Sequence, residues 1–255
     1  AVNGHGHEAA PLDSAGFLKG RSVVLAGAAR CPRCSLPLRW CTCDMLPPVE
    51  TAISVQVLIH RLEQCRPSST GKLIGRAVAN AACHVYQRGN RFFAATGYPA
   101  DTLEPSRELW VLHPSGDPLP EPAAPGGSVP QPRPAVLLLD GSWRQAGEML
   151  ASVKDRGRCV CLSAAATSEP SRYWLRDQAK PEQLCTAEAL IDILRAMGEP
   201  GAERCLRLHF ELHVYATLRA RGHREMAERY LGHSPLLAEA AEALTRLHAR
   251  RVNNL

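Results

Sequence analysis

Four cysteines stand within thirteen residues, as Cys31-Pro-Arg-Cys34 and Cys41-Thr-Cys43. Thiolates at CxxC spacing aim two sulfurs from one tight turn at a common point, and a second close pair completes a tetrahedral shell. That pattern reads as a structural zinc site made by Cys31, Cys34, Cys41 and Cys43. A redox CxxC would not need the second pair, and disulfides suit small secreted scaffolds better than a chain of 255 residues. A shell of four thiolates has no open position, so such a metal holds fold and leaves the reaction to other residues.

The reaction-capable residues lie further along. Asp140-Gly-Ser-Trp143 follows the most apolar run of the chain. Asp140 can project a carboxylate into a crevice there, Gly141 permits a tight turn, and Ser142 could cap the next helix. A bare capping role for Asp140 or Ser142 is equally open. The indole of Trp143 could stack on a base or fill core. Ser69-Thr-Gly-Lys-Leu73 opens a helix whose free N–H groups could receive an anion, or is an ordinary capped start. Ser171-Arg-Tyr-Trp-Leu-Arg176 interleaves two arginines with two aromatics, which suits phosphate contact plus base stacking or a solvated loop with packed rings. His209 and His213 are four apart on one helical face and read as packed or solvated rather than as metal ligands.

These residues need elements to position them. Ala52 to His60 reads as a buried strand, and residues 71–88 carry apolar side chains at helical spacing, closed by Gly89. Residues 107–113 form another expected strand, ending at Pro114. Residues 114–134 are rich in Pro and Gly and read as a loop. Ala135 to Asp140 is an apolar run of the kind buried on both sheet faces. A helix over 142–154, a short strand over 158–163 and an amphipathic helix over 184–197 follow, with two or three helices after Gly201. Strands alternating with helices predict an α/β fold, a mostly parallel sheet with helices on both faces. In such sheets the ligand crevice lies beyond the carboxyl ends of the strands. That rule makes neighbours of His60, His113 to Ser115, Asp140 to Trp143, and Leu162 with Ser163.

Composition bounds the rest. The chain is 45% apolar, enough for a substantial core, and no apolar run approaches the roughly 20 residues that cross a bilayer. No membrane partner is expected. Residues 1–29 read as a mobile segment, 30–48 as the zinc module, 49–200 as the catalytic domain and 201–255 as a helical extension packed on it. The six other cysteines are scattered, as small buried side chains in a reducing cytoplasm would be. A formal charge of +5 leans weakly toward a polyanionic partner.

Taken in order, these segments resemble the DTW-domain family, named for an Asp-x-Thr-Trp core. The resemblance runs from Cys31 to about Leu194 through the CxxC…CxC module, His60-Arg-Leu-Glu63, Ser69 to Leu73, Leu112-His-Pro-Ser115, Leu138 to Ala146, Ser171 to Arg176 and Leu184 to Ala189. Ser142 replaces the family's threonine and keeps its hydroxyl. Ser69 and Lys72 stand where asparagine and arginine are more usual, and the His-x-x-Glu segment lacks its common proline.

The resemblance implies a transferase that moves the 3-amino-3-carboxypropyl group of S-adenosylmethionine to N3 of a tRNA uridine. It also implies a SPOUT-like fold with a C-terminal trefoil knot, and a monomer. Asp140, Ser142 and Trp143 become the expected catalytic residues. Thr70, Leu112, Pro114, Gly141, Leu162, Leu184, Cys185 and Thr186, with Asp140 and Trp143, become the expected donor contacts. Arg33, Arg39, Arg61, Arg144, Arg172, Tyr173 and Arg176 become the expected RNA contacts. An RNA methyltransferase, the same transfer to ribosomal RNA, and a zinc-containing RNA-binding protein without catalysis are the competing readings.

Overall fold

The computed structural model describes residues 27–88, 90–94, 108–120, 133–162, 170–176 and 183–250. The expected mobile segment lies almost wholly outside these residues, as do most of the 114–134 loop and Ser163.

Among the described residues six strands form one sheet in the order β3-β2-β1-β5-β4-β6. They are β1 (Ser54–His60), β2 (Ala81–Gln87), β3 (Asn90–Ala94), β4 (Leu109–Pro118), β5 (Ala135–Asp140) and β6 (Arg158–Cys161). All neighbouring pairs are parallel except β2 with β3, which closes one edge antiparallel. The mostly parallel α/β architecture therefore stands as read from the sequence. β5 sits between β1 and β4, with Ile59 opposite Asp140 and Val111 opposite Leu137. Its continuous apolar run follows from that central place, because helices cover both faces.

The faces are covered unequally. One carries α3 (Trp143–Val153), which packs Met149 and Val153 on Leu58, Val111 and Leu137. The other carries α2 (Thr70–Ala77), α4 (Thr186–Ala196) and α5 (Pro200–Ala220), in an apolar cluster that runs from Cys34 and Trp40 through Ile74 and Leu190 to Phe210 and Leu247. Three further helices, α6 (Arg224–Gly232), α7 (Pro235–Glu239) and α8 (Ala241–Ala249), finish the described chain. Four helices thus follow Glu199, one more than expected. α8 and its end clamp the cysteine module: Arg246 donates to the Met45 carbonyl at 2.6 Å and Arg250 to that of Cys41 at 2.7 Å. No described helix is long and apolar enough to cross a membrane.

Two segments differ from the sequence reading. The helix expected over 71–88 stops at Ala77, and residues 81–87 form β2. Val78 is already extended, and the Asn80 side chain donates to the carbonyls of Thr51 and Ile53, tying the turn to the start of β1. Nor does Pro114 end β4, which continues to Pro118. The ladder with β6 shifts register between Leu112 and Asp117, and a bulge there tolerates a residue without an N–H. A short α1 (Arg61–Gln64) and β3 were not foreseen.

Candidate cofactor and substrate cleft

Asp140 ends the central strand at the point where the chain's connections diverge, β1 leading to β2 on one side and β5 lying against β4 on the other. Three donors converge on its carboxylate. The Ser69 hydroxyl donates to Oδ2 at 2.7 Å, the Gly71 amide to Oδ1 at 3.1 Å and the Thr186 hydroxyl to Oδ1 at 2.7 Å. Ser69 is the N-cap of α2 and Thr186 opens α4, so both helix N-termini are drawn onto one side chain. Their positive ends favour its ionised form. The anion received at the Ser69–Gly71 helix start is thus this carboxylate of the same chain. A Cβ on Gly71 would lie 2.6–2.8 Å from the Asp140 carboxyl group, so glycine is required there by close approach.

Asp140 is buried, and burial pushes its pKa up, against the pull of the bonds from Thr186 and Ser69; the charge of Glu63 adds to the rise. A carboxylate accepts at about four lone-pair positions. Among the described residues Oδ1 uses two and Oδ2 one, which leaves one acceptor position on Oδ2.

A cavity of about 980 Å³ opens over this group. Its walls include every residue expected from the sequence to contact a donor. Thr70, Asp140, Gly141, Ser142 and Trp143 come from the α2 and α3 starts and the end of β5. Leu112, Pro114 and Leu162 come from β4 and the end of β6, and Leu184, Cys185 and Thr186 from the start of α4. Trp143 is 51% exposed at the mouth. Ser142 caps α3: its hydroxyl accepts from the Gln145 amide at 3.4 Å and its own amide donates to Gln145 Oε1 at 2.7 Å. The capping alternative therefore holds for Ser142 and not for Asp140. His60 ends β1 and caps α1 by accepting from the Leu62 amide, outside the cavity wall.

Sequence reasoning missed the charged part of the cavity's wall. Glu63, buried at 2% exposure, lines it with Arg176, Ser68 and Tyr173. Glu63 accepts from Arg176 Nη2 at 2.7 Å and from Arg66 Nη1 at 2.8 Å. Arg176 Nη2 also reaches the Ser68 hydroxyl at 3.1 Å, and the Tyr173 hydroxyl donates to the Ser68 carbonyl at 2.6 Å. The signal was present, since Glu63 and Arg176 both fall in segments singled out by type, but nothing local says that they meet.

The expected RNA contacts separate into two groups. Arg33, Arg61 and Arg144 are exposed and Arg39 partly so. Arg172 and Tyr173 are engaged inside. The Arg172 guanidinium lies 4.4 Å from the Tyr230 ring centroid and 3.5 Å from Glu211, and Tyr173 is buried with its ring stacked on Phe210. Each spends one face on these helices, Tyr173 on α5 and Arg172 on α6.

The four cysteine sulfurs all lie within 4.8 Å of one another. A tetrahedron with zinc–sulfur bonds of about 2.3 Å has edges of about 3.8 Å, and Cys31 and Cys43 are 3.8 Å apart. The donor set fits a structural zinc ion. Without a cation the thiols share protons unequally: hydrogen bonds with Cys34 and Cys43 pull Cys41 down, while the bond with Cys41 leads in pushing the Cys34 thiol up to about 11. Arg76 of α2 lies in the field of all four cysteines, and its Nη2 is 3.0 Å from His213 Nδ1. His209 and His213 turn their Nε2 atoms to the carbonyls of Pro47 and Pro67, so they are packed groups.

The family model for the DTW domain matches residues 28–218. A relative from Drosophila melanogaster, tRNA-uridine aminocarboxypropyltransferase 2, is 28% identical over 173 residues, which are 66% of this chain and 66% of that protein. The match thus spans just under two thirds of the relative's length. No solved structure matches the chain.

Proposed function

The chain belongs to the DTW domain family, and from that membership we propose that it transfers the 3-amino-3-carboxypropyl group of S-adenosylmethionine to N3 of a uridine in tRNA. The observation that carries this reading is the cavity at the sheet's switch point, which gathers the motif residues around the buried carboxylate of Asp140. Its size suits a nucleoside donor, and the apolar wall of Leu112, Leu138, Leu162 and Ala189 suits an adenine ring. The relative's name supports both the transfer and the tRNA acceptor.

Uridine N3 is a poor nucleophile while it holds its imide proton. In the proposed step the free lone pair of Asp140 Oδ2 accepts that proton, or orients it while it passes to solvent, as N3 attacks Cγ of the donor's methionine chain. The N3–Cγ bond forms and the Cγ–sulfur bond breaks. Its electron pair returns to sulfur, which leaves as neutral methylthioadenosine. The raised pKa of Asp140 makes it a better base than an ordinary carboxylate, and its three hydrogen bonds suit an orienting role as well. Reaction requires Cγ, rather than the methyl carbon, at roughly 3–3.5 Å from the acceptor. Trp143 at the cleft mouth is proposed to stack on the incoming base, and Ser142 to hold the α3 start that carries it.

Arg33, Arg39, Arg61 and Arg144 are the proposed tRNA contacts, supported by their exposure. The zinc ion would be held by Cys31, Cys34, Cys41 and Cys43 as a fold-holding centre. The knotted SPOUT-like arrangement belongs to the same proposal. It is supported by the chain's return from edge strand β6 to the sheet centre at Thr186. We place the reaction in the cytoplasm, in a monomer.

Incubation with S-adenosylmethionine and tRNA, followed by mass spectrometry of nucleosides and spent donor, tests the reading. The expected products are aminocarboxypropyluridine and methylthioadenosine. Methylated uridine with S-adenosylhomocysteine, or the same transfer to ribosomal RNA alone, would replace it.

A further inference from the structure

We infer that Glu63 and Arg176 form the subsite for the amino-acid head of the donor, Arg176 taking its α-carboxylate and Glu63 its α-ammonium. The inference rests on the proposed transfer and assigns the part of the cleft that holds the transferred group.

The cavity wall combines apolar residues, among them Leu112, Leu162 and Ala189, with the charged residues Glu63, Asp140 and Arg176, which lie in one another's field. Their formal charges sum to −1. The donor's sulfonium, ammonium and carboxylate sum to +1, so the charged part of the cleft complements the ligand as a whole. The ligand's two head charges also match the pair individually.

Arg176 is prepared for a carboxylate. One terminal nitrogen, Nη2, is fixed by Glu63 at 2.7 Å and Ser68 at 3.1 Å. Among the described residues Nε and Nη1 make no hydrogen bond. Nη2 belongs to both paired N–H edges of the guanidinium, so a carboxylate would take a single charge-assisted hydrogen bond from Nη1 or Nε, and a side chain already fixed at Nη2 loses little freedom on binding. Glu63 is set in turn by Arg66 at 2.8 Å, and each of its oxygens keeps an acceptor position for an ammonium. A buried carboxylate held this way is a costly arrangement for an RNA contact, which needs exposed cations.

The consequence is selectivity between two carbons of one sulfonium. With carboxylate and ammonium both held, Cα is fixed and the chain bends so that Cγ, not the methyl group, faces Asp140.

Calorimetric titration of purified protein with S-adenosylmethionine and, separately, methylthioadenosine tests this, because the second ligand lacks the head. Arg176→Gln should weaken S-adenosylmethionine binding by roughly 10- to 150-fold and leave methylthioadenosine affinity unchanged. Glu63→Gln should shift the same ratio in the same direction, and serves if Arg176→Gln fails to fold. Arg176→Lys should restore part of the lost affinity. An equal loss for both ligands would overturn the inference, as would unchanged donor affinity with lost tRNA affinity. Wild-type protein that binds neither ligand would overturn the proposed transfer itself.

Discussion

The cysteine module and the Asp140 cleft both gather ionisable groups at one point, and they solve the resulting electrostatic problem in opposite ways. In the module four like ligands converge in an arrangement that could hold a cation, which would leave no valence open. In the cleft one carboxylate is stabilised by three neutral donors and two helix starts, and one acceptor position stays open to the cavity. The closed shell can only hold structure, whereas the open one can also act. Helix α2 joins them: Ser69 and Gly71 at its start meet Asp140, while Lys72 donates to Ser35 Oγ at 3.1 Å and Arg76 faces the cysteines.

The largest effect should come from the module. Cys41→Ser with Cys43→Ser, or removal of metal by a strong chelator, should lower the melting temperature by roughly 10 °C or more. Because α2 is shared, donor binding should fall with it, measured by calorimetry. Intact donor binding without metal would break the link between the two regions.

Changes at the carboxylate come next. Asp140→Ala should abolish transfer, and it should also destabilise the protein by about 1–3 kcal/mol for each donor left buried and unpaired. Donor binding should suffer too, since the alanine undoes a clasp among three elements. Asp140→Asn is the sharper probe. It keeps the shape and should retain most donor affinity while losing transfer, read by product assay. Full transfer by either variant would remove Asp140 from the mechanism.

The pH dependence has a defined sign. The folded-state pKa of Asp140 is raised above the ordinary carboxylate value by burial. Its ionisation therefore costs stability that is fully retained below the unfolded pKa and lost as pH rises through the folded one. Transfer should run the other way, increasing with pH across the same window, and Asp140→Asn should flatten that rise.

Gly71→Ala should cost about 1–3 kcal/mol from overpacking against Asp140, with transfer reduced. Ser142→Ala should have the smallest effect, about 1 kcal/mol for a lost cap, with most transfer retained. A loss of transfer as deep as that of Asp140→Asn would move Ser142 from capping to chemistry.

The sequence carried the central part of this arrangement well. Ala135–Asp140 could be read because a strand buried on both faces needs an unbroken apolar run, and 142–154 because Ser142 and Gln145 form a capping box. Residues 71–88 misled because Leu73, Ala77 and Ala81 keep helical spacing while His84 and Tyr86 alternate as a strand, and only pairing with β1 decides between them. The meeting of Glu63 with Arg176, 113 residues apart, is a tertiary event with no local period. Arg172 and Tyr173 illustrate the same limit. Their types suit RNA, yet Glu211, Phe210 and Tyr230 occupy them from helices whose position no spacing reveals.

The most direct test of the central claim is a crystal structure of the chain with S-adenosylmethionine. The account predicts the adenosyl group against Leu112, Leu162 and Leu184, with Cγ of the methionine chain turned toward Asp140. A donor bound elsewhere, or one whose methyl carbon faces Asp140 while Cγ points away, would contradict it.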